Sequence, residues 1–428
     1  MARKLLGTLF IGIVSLGLAV TSAAQTGEKG LLKELTELNL LTGSEPMSGA
    51  LKALVDDPEH AKQLVKFGLP AAQKKEMSYN AALVLGLVAA DLKDMKAAET
   101  YFRVCMDQAV KVQSFEKLKQ SYGLVIELYF DFKQYADCSR VCKELLELNT
   151  DDAKVRVVVG PEGKRPRFDT AERLRPYVRE IYIKSMTKQG KYDQALKMVD
   201  AILKKNNDFI NQYLKGWVLH EAGQLADSAN VYEDVIKQVA KERGLEQDEK
   251  DSFIEKFRYE VSNIYVELKK IDLATAHLQY LVKKRPSNPG YQNDLGFIWA
   301  DNDMNLKEAE SLIRKAIELD REQRKKRKSF DPKTDQDSGM YLDSLGWVLF
   351  KQKKNTEAKE WLLKAVADKN SQHLEIFDHL GDVLLVLGER EAAIRAFESG
   401  LKVVTENRRD LERKASVEKK LEQLKTSK

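Results

Sequence analysis

Three stretches in the carboxy-terminal half repeat one another: Asn293-Asp-Leu-Gly296-Phe, Tyr341-Leu-Asp-Ser-Leu-Gly346-Trp and Phe377-Asp-His-Leu-Gly381-Asp. Each leads into a helical apolar pattern and a polar turn. An alanine follows, with apolar or small residues four and seven places on: Ala309/Ile313/Ala316, Ala358/Leu362/Ala365 and Ala393/Phe397/Gly400. Gly346 to Gly381 is 35 residues, and so is Ala358 to Ala393. A fixed period of that length marks stacked helical hairpins, each exposing an apolar face that only its neighbour can cover. The remaining composition agrees. With 43% apolar and 32% charged residues but only 9 Pro and 23 Gly, the chain is neither disordered nor turn-rich all-β.

The register extends upstream. Ser262, Tyr265, Ala274, Leu278 and Leu281 form a copy 34 residues before Gly296, closed by Pro286. Earlier copies run through Gly216/Leu219/Ser228/Tyr232/Val235 and Ile183/Met186/Ala195/Val199/Ile202. Weaker ones run through Ile126/Tyr129/Cys138/Cys142/Leu145 and Gly86/Ala98/Phe102/Cys105, giving eight from about Tyr79 to Val404. Small residues on facing helices let the axes approach to ~8–10 Å. Gly190-Lys191, Gly223-Gln224 and Gly388-Glu389 supply turn residues between paired helices.

This pattern resembles the tetratricopeptide repeat (TPR) family, and the DSLGW and DHLGD repeats resemble exported or envelope-associated bacterial TPR proteins. The resemblance implies an all-α fold: a right-handed α-solenoid of about eight TPR helix-turn-helix repeats over residues 79–404. It also implies a non-enzymatic protein–protein interaction scaffold or adaptor whose first helices line a concave groove.

Departures from the period predict three inserts, at about 151–175, 241–252 and 321–338. In the first, Val155–Val159, Gly160-Pro-Glu-Gly163 and Lys164–Phe168 read as a small β-hairpin. The second lengthens the helices around it. The third contains the basic run Arg321–Lys328, read either as a solvated helix end or as a contact for an anionic surface. Residues 25–78 read as a helical cap, with helices near Leu31–Leu41, Met47–Val55 and Pro58–Phe67. Residues 405–428 read as a helix that solvates the last repeat through Leu411, Ala415, Leu421 and Leu424.

At the amino terminus, Arg3-Lys4, the apolar run Leu5–Val20 and Ser22-Ala23-Ala24 read as a signal peptide over residues 1–24, cleaved after Ala24. An uncleaved anchor is the alternative, but a 16-residue run broken by Gly7, Gly12 and Gly17 falls short of the ~20 residues a span needs. The expected location is the periplasm or cell envelope, or outside the cell.

The sequence carries no complete catalytic, cofactor or metal motif, and none of these functions is expected. His220-Glu221-Ala-Gly-Gln224 has Gln where a zinc helix needs its second His. Asp301-Asn-Asp303-Met-Asn305 starts like a calcium loop but has Leu306 for the required Gly and Leu312 for the bidentate Glu. Of the three cysteines, Cys105 would be open to pairing with Cys138 or Cys142 in an oxidising compartment; otherwise all three are small buried apolar residues.

In TPR proteins the inner positions of each first helix hold the partner. Here they carry Tyr213, Trp217, Tyr259, Phe297, Trp347 and Phe350, with eleven acids against four bases. Tyr213, Trp217, Tyr259, Asn263, Phe297, Asp343, Trp347, Asp378 and Asp382 are the candidate groove residues. An acidic inner face disfavours nucleic acid, which needs a basic track. Tyr259, Asn263 and Asp294 stand where chaperone-binding relatives keep a clamp for a carboxylate, with Asp294 replacing its Asn. The expected partner is a protein or peptide segment rich in basic and apolar side chains. The alternatives are an accessory subunit of an envelope enzyme or secretion complex, or an enzyme with its site in an insert.

Overall fold

The computed structural model describes residues 27–112, 114–147, 169–328, 330–369, 371–403 and 408–426. The expected signal peptide and the whole of the expected β-hairpin lie outside these residues. Among the described residues the chain is all-α, with helices and no strand. It forms two compact units, the first ending at Asn206 and the second beginning at Asn207.

The first unit contains α1 (Glu28–Asn39), α2 (Ser44–Asp56), α3 (Pro58–Gln73), α4 (Tyr79–Asp91), α5 (Met95–Lys111), α6 (Phe115–Asp131), α7 (Tyr135–Glu147), α8 (Asp169–Lys188) and α9 (Tyr192–Leu203). α4/α5, α6/α7 and α8/α9 are hairpins, and α1, α2 and α3 close over α4. That cover makes α4 apolar all round, with Tyr79 and the whole run Ala81–Ala90 buried. Residues 169–175, assigned to the first insert by spacing, belong instead to α8, so helix resumes earlier than the repeat period predicts.

The second unit contains α10 (Phe209–Glu221), α11 (Leu225–Lys241), α12 (Gln247–Glu267), α13 (Ile271–Lys284), α14 (Pro289–Asp301), α15 (Leu306–Lys325), α16 (Gly339–Lys351), α17 (Asn355–Ala367), α18 (Leu374–Val386), α19 (Arg390–Gly400) and α20 (Arg408–Thr426). Consecutive helices pair from α10/α11 to α18/α19, and α20 lies against both α18 and α19.

Local chemistry sets the helix ends. Ser78, Ser114, Asp208 and Asn288 each accept a backbone N–H three residues on, satisfying a donor that helix geometry leaves unpaired. Glu246 and Glu249 form a reciprocal capping box at the start of α12. Between paired helices the chain reverses through a left-handed residue. It is Gly190, Gly223 or Gly388 in three hairpins, but Lys93, Lys133, Lys269, Asp303 or Lys353 in the others. Each lies seven places after the residue that sets the register in the first helix of its pair.

That register residue governs the packing. An added Cβ would lie 2.6 Å from Phe102 at Gly86, 3.0 Å from Tyr232 at Gly216, 2.6 Å from Leu362 at Gly346 and 2.3 Å from Phe397 at Gly381. In each hairpin the large side chain sits sixteen residues on, in the facing helix. The fourth residue of the second helix can add a bond across the same gap: Ser228 Oγ donates to Gly216 O at 2.7 Å, and Cys138 Sγ to Ile126 O at 3.5 Å. All three cysteines are free and buried. Cys105 packs towards α4, with Sγ 3.5 Å from Tyr79 O, in a different layer from Cys138.

The basic run 321–328 is largely exposed at the end of α15, in keeping with a solvated helix end, whereas the reading of α20 needs correction. Arg321 bonds Asp337 through Nε at 2.8 Å, and Arg324 bonds Asp335 and Asp337 at 2.9 Å and also Asp320. Arg321 and Arg324 also fasten the third insert onto α15, since carboxylates eleven to sixteen residues on fold back to meet them. In α20, Leu411 is 54% exposed and Ala415 is exposed. The buried face is Val417 and Leu421 with Leu424, because the helix is rotated to bring Arg413 and Lys420 onto α18.

Gly381→Ala should destabilise the second unit by about 1–3 kcal/mol through the clash with Phe397, despite alanine's better helix propensity. Gly49→Ala, in α2 with nothing within 4 Å of the added Cβ, should instead stabilise by about 0.5–1 kcal/mol. Urea midpoints of the two variants check both signs.

Candidate partner-binding surface

The first helices of the second unit carry the aromatic and acidic residues singled out by sequence, and the structure separates them into layers. On α10, Tyr213 meets Tyr232 edge-on at 5.7 Å and Phe257 of α12 at 5.1 Å, with Lys256 Nζ 4.4 Å from its ring. Trp217 follows one turn later, half-buried. His220 Nε2 reaches Glu267 Oε1 at 2.6 Å, linking α10 to α12. On α12, the Tyr259 hydroxyl donates to Asp294 Oδ2 of α14 at 2.8 Å, and half-buried Asn263 lies one turn further on.

Deeper in the unit, α14, α16 and α18 are joined by a buried chain of polar and aromatic groups. Asp343 Oδ1 lies 2.9 Å from His379 Nδ1, and neither residue is more than 4% exposed. The imidazole stacks on the Trp347 indole at 3.9 Å between centroids and 13° between planes, with Phe297 at 6.1 Å on its other contact. Trp347 Nε1 donates to Asp301 Oδ1 at 3.1 Å. Burial opposes charge on His379, but the adjoining Asp343 carboxylate outweighs it and holds the imidazole above the ordinary histidine value. Asp343 and Trp347 are thus structural members of this unit, not open groove residues, because His379 offers each a complementary face.

At the far end, α20 lies on the acids of α18. Arg413 pairs with Glu375 and, at 3.0 Å, with Asp378. Lys420 Nζ lies 2.7 Å from both Asp378 and Asp382. Burial raises the Asp382 carboxyl above its usual range, with Lys420 pulling the other way. Asp378 and Asp382 are therefore engaged by the chain's own helix. Arg413 and Lys420 were not among the sequence candidates, although their spacing of seven complements that of Glu375, Asp378 and Asp382. His379 was also missed; the signal lay in the DHLGD motif, where it precedes the close-packed Gly381 by two residues.

Among the described residues no group of three or more His, Cys, Asp or Glu side chains could hold a metal ion. No helix among them is long and apolar enough to cross a membrane.

Residues 187–242 match the family model described as tetratricopeptide repeat. No curated protein matches the chain. Solved structures similar to it include a tetratricopeptide repeat protein from Parabacteroides merdae, 12% identical with a TM-score of 0.47, covering 70% of this chain and 98% of that one. Residues 41 to the end of MamA from Desulfovibrio magneticus are 20% identical with a TM-score of 0.34, covering 46% and 96%. A thermophilic TPR protein from Thermus thermophilus is 16% identical with a TM-score of 0.36, covering 49% and 98%.

Because the folded His379 value is raised, its contribution to stability is present below the unfolded histidine pKa of about 6.5 and fades as pH rises through the folded value. The stability difference between wild type and His379→Gln should therefore shrink from pH 6 to pH 9. Urea midpoints at each pH measure it; a difference that grows with pH contradicts the pairing.

Proposed function

We propose that this chain, a tetratricopeptide-repeat protein, is a non-enzymatic scaffold whose second unit holds a basic and apolar segment of another protein along its first helices. The observation that carries the reading is internal to the molecule. The last acidic first helix, α18, already takes an amphipathic basic helix, with Arg413 and Lys420 on Glu375, Asp378 and Asp382 and with Val417 and Leu421 buried beneath. Inner positions upstream repeat that chemistry, with Tyr213, Trp217 and Glu221 on α10 and Tyr259, Asn263 and Glu267 on α12. Aromatic anchors beside acids suit a partner carrying both apolar and cationic side chains. Fold alone would not assign this role; the residue chemistry of the surface supports it.

We further propose that the protein acts outside the cytoplasm, a reading supported by the pattern Arg3-Lys4, Leu5–Val20 and Ser22-Ala23-Ala24. Amino-terminal sequencing of the protein recovered from cells tests it: a first residue at Gln25 supports export, and an intact Met1 in a cytosolic fraction rejects it.

Crosslinking in the native cell followed by mass spectrometry identifies the partner. Trp217→Ala combined with Glu221→Lys should reduce its recovery at least about tenfold while leaving helicity and melting temperature near wild type. Trp347 is a poorer probe, since truncating so buried a side chain costs about 3–5 kcal/mol of stability. Unchanged recovery with the α10 double variant would reject the assignment.

A further inference from the structure

One polar cluster of the second unit has hydrogen bonding that does not close. Asp294 on α14 accepts from the Tyr259 hydroxyl at 2.8 Å and from Asn293 Nδ2 at 3.3 Å. Asn293 is only 7% exposed, yet its Oδ1 has no hydrogen-bond partner. Its neighbour Gln292 is fully buried, gives its amide nitrogen to Pro286 O, and leaves Oε1 unpartnered. Turning the Asn293 amide over would set its oxygen against the Asp294 carboxylate, so the orientation is fixed chemically. Two buried amide oxygens next to one another in sequence thus lack a donor, which is unusual for groups so deeply buried.

Asp294 also differs from the other acids of the surface. Asp343 faces a histidine, and Asp378 and Asp382 face Arg413 or Lys420. What acts on the Asp294 carboxyl is burial, which raises it, then the Tyr259 hydroxyl and the Asn293 amide; no cation is among these groups. Tyr259 and Tyr291 stand 5.6 Å apart at 45°. Burial raises the Tyr291 phenol, and the Glu255 and Asp294 charges add to the shift. Asp294 as a residue is half-buried. A carboxylate with no cation among its bonded neighbours and an aromatic pair next to it suits an organic cation.

We infer that Asp294, with Tyr259 and Tyr291 beside it, is a cradle for one Lys or Arg side chain of the bound partner segment. This rests on the binding role proposed above and adds a fixed point that would set the register of the segment. The cradle inverts the polarity of a carboxylate clamp, since the group held is the partner's cation.

The test uses the full chain and two side-chain mimics, n-butylguanidinium and n-butylammonium, with n-butanol as the uncharged control. Binding is followed through the ring resonances of isotope-labelled tyrosines. The inference expects shifts at Tyr259 and Tyr291 with both cations and none with butanol. Asp294→Asn should weaken them at least about tenfold, the scale of one charge-assisted bond. Asp303→Asn removes an equal charge at a side chain that is 68% exposed and should bind as wild type. A melting curve for Asp294→Asn shows whether the variant is folded, and Asp294→Glu should restore part of the shift. No shift in wild type, equal shifts in Asp294→Asn, or equal weakening by Asp303→Asn would overturn the cradle. Partner recovery that survives such a failure would leave the scaffold reading standing; cation binding that survives a failed pull-down would support the cradle alone.

Discussion

The absence of a Cβ opposite a large side chain is the contact on which the hairpins depend. Gly86, Gly216, Gly346 and Gly381 each admit a ring or a branched side chain from the facing helix into the space a methyl group would occupy. Glycine costs a helix interior about 1 kcal/mol relative to alanine. The close approach offsets that by burying Phe102, Tyr232 and Phe397 almost completely. Once two helices are held at that separation, their remaining apolar surface has nowhere to go but against the next pair. The stacking of each unit is therefore a consequence of the hairpin, and polar groups between first helices become buried by default.

That contact is also why the architecture was so legible in the sequence. A small residue and a large one at fixed separation, repeated at 34 to 35 residues, survive as a pattern even where the intervening residues vary. The hairpin turns were half legible: glycine advertises a left-handed residue at 190, 223 and 388, whereas Lys93, Lys133, Lys269 and Lys353 take the same conformation with no such signal. The inserts followed spacing only approximately, because a period locates the next copy but not where helix resumes, as α8 illustrates by starting at Asp169.

The surface was legible in residue type but not in partnership. Reading inner positions found Asp343, Trp347, Asp378 and Asp382, yet could not say that the first two close on His379 or that the last two close on α20. Those pairings depend on the rotation of one helix against another, and apolar periodicity fixes rotation only to within a residue or so. α20 makes the point: Leu411 and Leu421 are both leucines of the expected stripe, but only Leu421 is buried. Charge decided the rotation, since Arg413 and Lys420 can reach the acids of α18 in one orientation only. Sequence reasoning that paired basic and acidic spacings across neighbouring helices would have found this contact.

The lysines at the hairpin reversals have a consequence for how copies of this protein meet one another. A left-handed lysine costs the backbone about 1–2 kcal/mol that glycine would not. Lys93, Lys133, Lys269 and Lys353 are all exposed at the hairpin tips. Lys93 and Lys133 thus stand at tips in the first unit and Lys269 and Lys353 in the second, where Asp303 occupies another tip. Two molecules approaching tip to tip meet ammonium against ammonium, a colloidal repulsion that fades as salt is added.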